Sequence, residues 1–162
     1  MRRTSIDASP AAGARADDYR LDDQVGHLLR RAYQVASGNL ASRLDRYRLT
    51  PMQFAVLARL RERAPLSQNL LGRLVAMEPA NIRDVVVRLK RRGLVRTGRD
   101  GADRRLILVT LSTAGAALAD KLLPLSRAST AATLRPLSAR EATLLRGFLQ
   151  RIAAAEGSAP RA

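Results

Sequence analysis

The segment from Ile82 to Ser112 constrains the fold of this chain more than any other. Its first part has apolar residues at helical spacing, and Gly93, a residue type that commonly ends helices, follows a basic run. Two β-prone runs come next, Leu94 to Thr97 and Leu106 to Leu111, joined by a polar, glycine-containing loop. The pattern predicts an amphipathic helix that leads directly into a β-hairpin.

Positive charge is concentrated in the same segment. The 162 residues carry 29 Lys or Arg and 14 Asp or Glu, a formal net charge of +15. Between Arg83 and Arg105 nine basic residues stand against three acidic ones, an excess of six. A basic helix followed by a basic hairpin indicates a polyanionic partner, in particular double-stranded DNA. The alternative is compositional, because Lys90 and Lys121 are the only lysines and an Arg-rich genome would also raise the charge.

The residue types exclude several classes of site. The chain has no Cys and one His, which excludes disulfides, zinc fingers, cysteine catalysis and a polyhistidine metal site within one subunit. Carboxylates and glycines follow no catalytic or phosphate-loop spacing, so we expect no enzyme activity and no cofactor. The sequence lacks a run of 18 apolar residues and a secretory signal, so we expect a cytoplasmic protein without a membrane partner.

Capping signals divide the rest of the chain into helices. The apolar stripe from Leu21 to Leu44 predicts one helix of about seven turns. Capping boxes are predicted at Thr50-Pro51-Met52-Gln53 and at Ser138-Ala139-Arg140-Glu141, because a hydroxyl and a Glu or Gln three residues later satisfy each other's backbone N–H groups. Ser67 and Ser112 are predicted as further N-caps.

The predicted order is four helices, a hairpin and two helices. The fold class is therefore mainly α with a small β-hairpin wing, a winged helix-turn-helix flanked by N- and C-terminal dimerisation helices. The predicted regions are a flexible tail at residues 1–20, the N-terminal dimerisation helix at 21–48, the DNA-binding region at 49–111 and the C-terminal dimerisation helices at 112–156. Pro124 must kink or end the helix that contains it.

The helix from Pro79 to Arg92 has a polar face that suits base recognition. Asn can pair with adenine, Arg can pair with guanine, and Ala can touch a thymine methyl group. Pro79 at the first helical position leaves the remaining N–H groups of that end for a phosphate. The alternative is an ordinary solvated helix face. The predicted contact residues are Pro79, Ala80, Asn81, Arg83, Asp84 and Arg88.

The hairpin loop carries a second basic group. Arg99 lies on one arm, and Asp103, Arg104 and Arg105 lie on the other. An Asp two residues before an Arg can orient its guanidinium by a charge-assisted pair, and such an Arg suits a narrow minor groove. A local ion pair that only stiffens the turn is the alternative.

Several short motifs between residues 49 and 115 occur together in a known arrangement. They are Leu49-Thr50-Pro51-Met52-Gln53-Phe54, the helix from Ser67 to Val75, Arg88-Leu89 with Gly93-Leu94-Val95, and Asp103-Arg104-Arg105 followed by Val109, Leu111-Ser112 and Gly115. In this arrangement the chain resembles the MarR family of winged helix-turn-helix bacterial transcription regulators, from about Leu21 to Ala154. It departs at Ser112, where Thr is usual, and at Glu78-Pro79-Ala80-Asn81, so the operator sequence cannot be inferred from relatives.

The resemblance implies a homodimer whose first and last helices interlock and which reads a pseudo-palindromic operator. The two recognition helices of such a dimer lie about 34 Å apart, one turn of DNA. It also implies repression relieved by a small ligand, and a cytoplasmic protein associated with the nucleoid when DNA is bound. Repression is the expected sign of regulation, and activation is the alternative.

The resemblance further implies a ligand pocket near the first helix. His27, Arg30, Arg31 and Tyr33 offer side chains there that can bind a carboxylate and stack an aromatic ring, so we expect a small aromatic carboxylate effector. For His27 the alternative is a partly buried histidine paired with a neighbour. For Arg30 and Arg31 it is a solvated face or a charge at the dimer contact.

A non-regulatory architectural or RNA-binding protein that needs no ligand is the alternative function. Such a protein would use the same basic face. Only two Phe, three Tyr and no Trp are present, which argues against the stacking platforms of single-strand binders.

Overall fold

The computed structural model of this chain describes residues 19–101, 103 and 105–155. Within that part, six α-helices accompany one antiparallel sheet of three strands. The elements are α1 Val25–Leu44, α2 Pro51–Arg63, β1 Leu66–Ser67, α3 Gln68–Leu74, α4 Pro79–Arg91, β2 Val95–Arg99, β3 Ile107–Leu111, α5 Thr113–Leu134 and α6 Ala139–Ala155.

The chain divides into two compact units, residues 1–34 and residues 35–162, so the boundary falls inside α1. In the first unit the predicted helix begins at Val25 and not at Leu21. Leu21–Asp23 forms a 3-10 turn and Gln24 is extended, which interrupts the helical hydrogen bonds. Most of the tail predicted over residues 1–20 lies outside the described residues.

All four predicted N-caps of the second unit are present. Thr50 and Gln53 form the reciprocal capping box, and the hydroxyls of Ser67 and Ser112 each accept the N–H three residues later. Ser138 and Glu141 form the second box, with the Ser138 N–H 2.7 Å from Glu141 Oε2. Hydrogen bonds from the Ser138 hydroxyl and then its backbone lower the pKa of Glu141.

The hydrophobic core of the second unit lies around α2. Each large apolar side chain buried there contributes about 1.5–3 kcal/mol relative to exposure to water. Because α2, α4, α5 and β3 all contribute, the core joins α4 to α2, α5 and the sheet. Its fully buried large side chains are Leu44, Val56, Leu57, Leu60, Leu71, Ile82, Leu89, Val109 and Leu122.

The sheet contains one strand more than the predicted hairpin. β3 lies in the centre, paired with β2 from Val95↔Leu111 to Arg99↔Ile107 and with β1 at Leu66↔Val109. β1 was not predicted, because two residues show no periodicity and their partners lie more than forty positions away. The extra strand ties the start of α3 to the base of the wing.

Pro124 does not end α5, which continues to Leu134. A proline inside a helix lacks the N–H that would bond the carbonyl four residues earlier. Ala119 and Leu122 are fully buried, so tertiary packing offsets that loss. Arg61 of α2 also pairs with Asp120, with Nε 2.7 Å from Oδ1, and this hydrogen bond raises the pKa of Arg61.

The first turn of α5 is joined directly to the start of the wing. The Ser112 hydroxyl donates to the Gly93 carbonyl at 2.6 Å and accepts the Gly115 N–H at 2.9 Å. The Ser112 N–H donates to the Leu94 carbonyl at 3.1 Å. A Cβ atom at Gly115 would overlap that same Leu94 carbonyl oxygen. Only glycine therefore permits this close approach of the two backbones.

We expect Gly115→Ala to lower the free energy of unfolding by about 3 kcal/mol, because overpacking forces the backbone apart. The matched control is Gly38→Ala in α1, where an added Cβ meets nothing within 4 Å. That change should raise stability by roughly 0.5–1 kcal/mol through helix propensity. Urea denaturation at one protein concentration measures both. Undiminished stability of Gly115→Ala would contradict the close contact.

Candidate nucleic-acid interface

Helix α4 buries its apolar face and exposes the predicted base-reading face. Ile82, Val86 and Leu89 are almost wholly buried. Contact of the opposite face with DNA stays a prediction. The sequence analysis omitted Val87, which is 40% exposed on α4 and offers a second apolar contact for a thymine methyl group. The predicted residues Pro79, Ala80, Asn81, Arg83, Asp84 and Arg88 are all exposed.

The N-terminal end of α4 suits an anion. Pro79 occupies the first helical position, and no side-chain hydrogen bond from Glu78 caps the helix. The first N–H groups of an α-helix have no acceptor within the helix. Those of Ala80 and Asn81 can therefore donate hydrogen bonds to a phosphate oxygen. The geometry required by the predicted phosphate contact is therefore present.

The C-terminal end of α4 turns sharply into the wing, as the glycine predicted. Gly93 has φ +68°. Its N–H donates to the Lys90 carbonyl at 2.9 Å, and the Leu94 N–H donates to the Leu89 carbonyl at 3.0 Å. These two bonds form a Schellman motif, which turns the chain from the helix into β2.

A direct side-chain contact joins the recognition helix to the wing. Lys90 Nζ donates to Thr97 Oγ1 of β2 at 2.8 Å. The sequence analysis counted Lys90 only as part of a basic run. The contact depends on how β2 folds back along α4, and no local spacing rule predicts it.

The wing turn is shaped by Asp103. One of its carboxylate oxygens accepts the Arg105 backbone N–H at 2.9 Å, and its carbonyl accepts the Leu106 N–H at 2.9 Å. The same carboxylate oxygen lies 4.0 Å from Arg105 Nε, a loose ion pair. The Asp103 carboxylate therefore holds the turn, and presentation of Arg105 to a minor groove stays a prediction. The side chain of Arg105 is 96% exposed and projects from the wing.

The other two wing residues differ in what the structure describes. Arg99 is exposed at the end of β2. Arg104 lies outside the described residues. A cleft of about 80 Å³ lies between the start of α3 and the residues where the wing turn enters β3, and its polar lining from Ser67, Gln68 and Asn69 was not predicted. These three residues are candidates for further contacts beside the wing.

The predicted effector residues lie on the first part of α1. His27 and Arg31 converge on one carboxylate, with His27 Nε2 3.5 Å and Arg31 Nη1 3.4 Å from Asp22 Oδ1. Arg30 and Tyr33 are exposed on the same helix. The structure thus brings His27 and Arg31 together around an acid.

The described residues contain neither a metal-binding cluster nor a membrane-spanning helix. No group of three or more His, Cys, Asp or Glu side chains there could hold a metal ion. None of the helices described combines the length and apolar character needed to cross a membrane.

Comparisons with known proteins agree on one family. Residues 49–106 match the family model described as MarR family. The chain is 37% identical over 134 residues to the HTH-type transcriptional repressor NicR of Pseudomonas putida. The aligned residues cover 83% of this chain and 85% of NicR.

Two solved structures are similar to most of this chain. A probable transcriptional regulator from Pseudomonas aeruginosa is 45% identical, with a TM-score of 0.76 over 82% of this chain and 99% of that one. BpsR of Bordetella bronchiseptica is 34% identical, with a TM-score of 0.79 over 88% of this chain and 99% of BpsR. The BpsR structure concerns regulation of its DNA binding by 6-hydroxynicotinic acid.

We expect Arg105→Ala to weaken binding to all duplex DNA and to reduce the salt dependence by roughly one unit, because one phosphate-neutralising charge is lost. Asn81→Ala is the contrasting variant, which should relax base choice at one position and leave the salt slope unchanged. Fluorescence anisotropy across a salt series measures both. An Arg105→Ala protein with wild-type affinity and slope would show that the wing does not contact DNA.

Proposed function

This chain belongs to the MarR family of transcription regulators, and on that premise we propose a function for it. It is a dimeric repressor that binds a pseudo-palindromic operator in double-stranded DNA. A small aromatic carboxylate releases it from that operator. The observation that carries the proposal is the exposed face of α4, whose C-terminal end is joined to a basic wing.

The geometry of α4 and the wing supports two kinds of DNA contact. The first turns of α4 present Asn81 and Arg83 beside N–H groups that suit a phosphate. Arg105 projects from a turn held by Asp103, which suits insertion into a minor groove. The Lys90–Thr97 hydrogen bond connects the two surfaces. One protein molecule can thereby read the two grooves of one half-site.

An exposed apolar stripe on α6 supports the dimer. Five of its large apolar side chains are 37% to 54% exposed, at helical spacing. A stripe of this kind on a monomer indicates an interface, because burying the exposed half of each side chain would gain about 1 kcal/mol. A second copy of the chain is the proposed occupant. The five residues are Leu144, Leu145, Phe148, Leu149 and Ile152.

The convergence on Asp22 supports an acidic effector. The Asp22 carboxylate occupies the position between His27 and Arg31 that a ligand carboxylate would take. Asp22 is 81% and Arg31 62% exposed, whereas His27 is 27% exposed, so a ligand can exchange with the Asp22 carboxylate from the solvent side. BpsR, a relative by sequence and structure, responds to an aromatic carboxylic acid. We assign the same chemical class of effector to this chain.

Release of DNA follows from the dimer by thermodynamic linkage. Two recognition helices bind together only when they lie about one DNA turn apart. A ligand that binds better to another spacing weakens both half-sites at once, by the same factor by which DNA weakens the ligand.

We expect wild-type protein to select a pseudo-palindrome from a random duplex pool and to bind it at least about 10³ times more tightly than random duplex. The half-sites should lie one helical turn apart. Phe148→Glu, which puts a charge on the α6 stripe, should sediment as a monomer and lose this preference. Equal affinity for selected duplex, random duplex and duplex RNA would favour the architectural alternative.

We expect 6-hydroxynicotinic acid to stabilise the protein in a thermal-shift assay, by about 2.7 kcal/mol at a concentration 100 times its Kd. The control ligand is 2-hydroxypyridine, which keeps the ring and lacks the carboxylate. Arg31→Ala should abolish the shift. Equal shifts with the two ligands would exclude the carboxylate site, and no shift with any aromatic carboxylate would exclude the effector class.

A further inference from the structure

The side chain of Arg92 connects the end of the recognition helix to the junction between α1 and α2. Its Nη1 donates to the Arg48 carbonyl at 2.6 Å and its Nη2 to the Tyr47 carbonyl at 2.8 Å. Arg92 is also the residue that ends α4, with its own N–H bonded to the Arg88 carbonyl. The DNA-binding face described above does not account for this contact.

The two carbonyls need a donor because they end a helical segment. A 3-10 turn over Asp45–Tyr47 continues from α1, and Arg48 has left-handed backbone angles of 52° and 45°, which stop the helix. Carbonyls at such an end have no partner within the helix. A guanidinium supplies two N–H groups in a planar fork together with the positive charge that a helix C-terminus favours.

The junction that Arg92 contacts is itself held in place. The ring of Tyr47 lies near two cations, with the Arg46 guanidinium carbon 4.9 Å and Lys121 Nζ 5.5 Å from its centroid. Leu44 and Leu49, on either side of the junction, are buried in the core. Because Lys121 belongs to α5, the junction links the end of α1 to α5. These are the helices that flank the DNA-binding region.

A small rotation of α4 about the end where Arg92 lies would displace the base-reading residues at the opposite end. The helix has 13 residues and is about 20 Å long, so a rotation of about 3° at its C-terminal end moves the first turn by about 1 Å. Hydrogen-bond distances tolerate only about 0.5 Å of variation. Three of the six residues predicted to contact DNA, Pro79, Ala80 and Asn81, lie in that first turn, at the end opposite Arg92.

We propose that Arg92 is a positioning residue for operator recognition. It fixes the angle of α4 against the junction at residues 45–48 through its two carbonyl contacts, and it does not contact DNA itself. The proposal rests on the proposed function, because it requires a specific operator. It implies that movement of α1 or α5 reaches the recognition helix through this guanidinium.

The test compares Arg92→Ala with Arg91→Ala, an exposed neighbour of equal charge. The probe is the duplex that wild-type protein selects from a random pool. Loss of hydrogen bonds from a charged donor predicts a roughly 10- to 100-fold loss of affinity for that duplex in Arg92→Ala. Affinity for random duplex and the salt slope should match those of Arg91→Ala. Arg92→Lys keeps the charge and loses the planar fork of N–H groups. This variant should bind random duplex with wild-type affinity and should recover only part of the affinity for the selected duplex.

Three results would overturn the proposal. Equal losses of affinity for the selected duplex in Arg92→Ala and Arg91→Ala would show that Arg92 acts only through its positive charge. A salt slope lowered by one unit in Arg92→Ala alone would make it a direct phosphate contact. Full recovery of selected binding in Arg92→Lys would exclude a role for the fork. If Arg92→Ala fails to fold, it is replaced by Arg92→Gln. Gln also removes the positive charge but retains an amide group that can donate a hydrogen bond.

A second measurement tests the contact without DNA. Amide hydrogen exchange over residues 45–49 and the last turn of α4 should accelerate in Arg92→Ala and stay at the wild-type rate in Arg91→Ala. Unchanged exchange would refute the contact even if an operator exists. If wild-type protein selects no sequence, the proposed function fails, and the exchange data still decide whether Arg92 holds the junction.

Discussion

The hydroxyl of Ser112 makes the interaction on which the rest of the structure depends. It accepts the N–H of Gly115 and so caps α5, and it donates to the carbonyl of Gly93, where the recognition helix has just ended. One side chain thus begins a flanking helix and fixes the start of the wing. The glycine at position 115 is required because the Leu94 backbone occupies the space of a side chain.

Around this junction the recognition helix is held at its C-terminal end and exposed at its N-terminal end. Ser112 contacts the residue after the helix, Lys90 contacts the wing, and Arg92 contacts the junction between α1 and α2. A helix held at one end positions its other end precisely, provided that the contacts are short and directional. In the proposed function, the same contacts would carry a change in the flanking helices to the base-reading residues.

Much of this arrangement follows from local sequence. Hydroxyl caps at Thr50, Ser67 and Ser112, and the Gly93 terminus of α4, were predicted correctly because a cap involves residues within one helical turn of each other. The buried face of α4 followed from helical periodicity. Exposure of the predicted DNA-contacting residues followed from the same period.

The sequence by itself determined where α2, α3, α5 and α6 begin, where α4 ends, which face of α4 is polar, and how much charge the region carries. Tertiary structure alone decided the pairing of β1 with β3, the continuation of α5 through Pro124, and the contacts of Lys90 and Arg92. The physical reason is separation along the chain. Caps and periodicity act over one or two turns, whereas Arg92 reaches carbonyls more than forty residues away that only the folded core brings near.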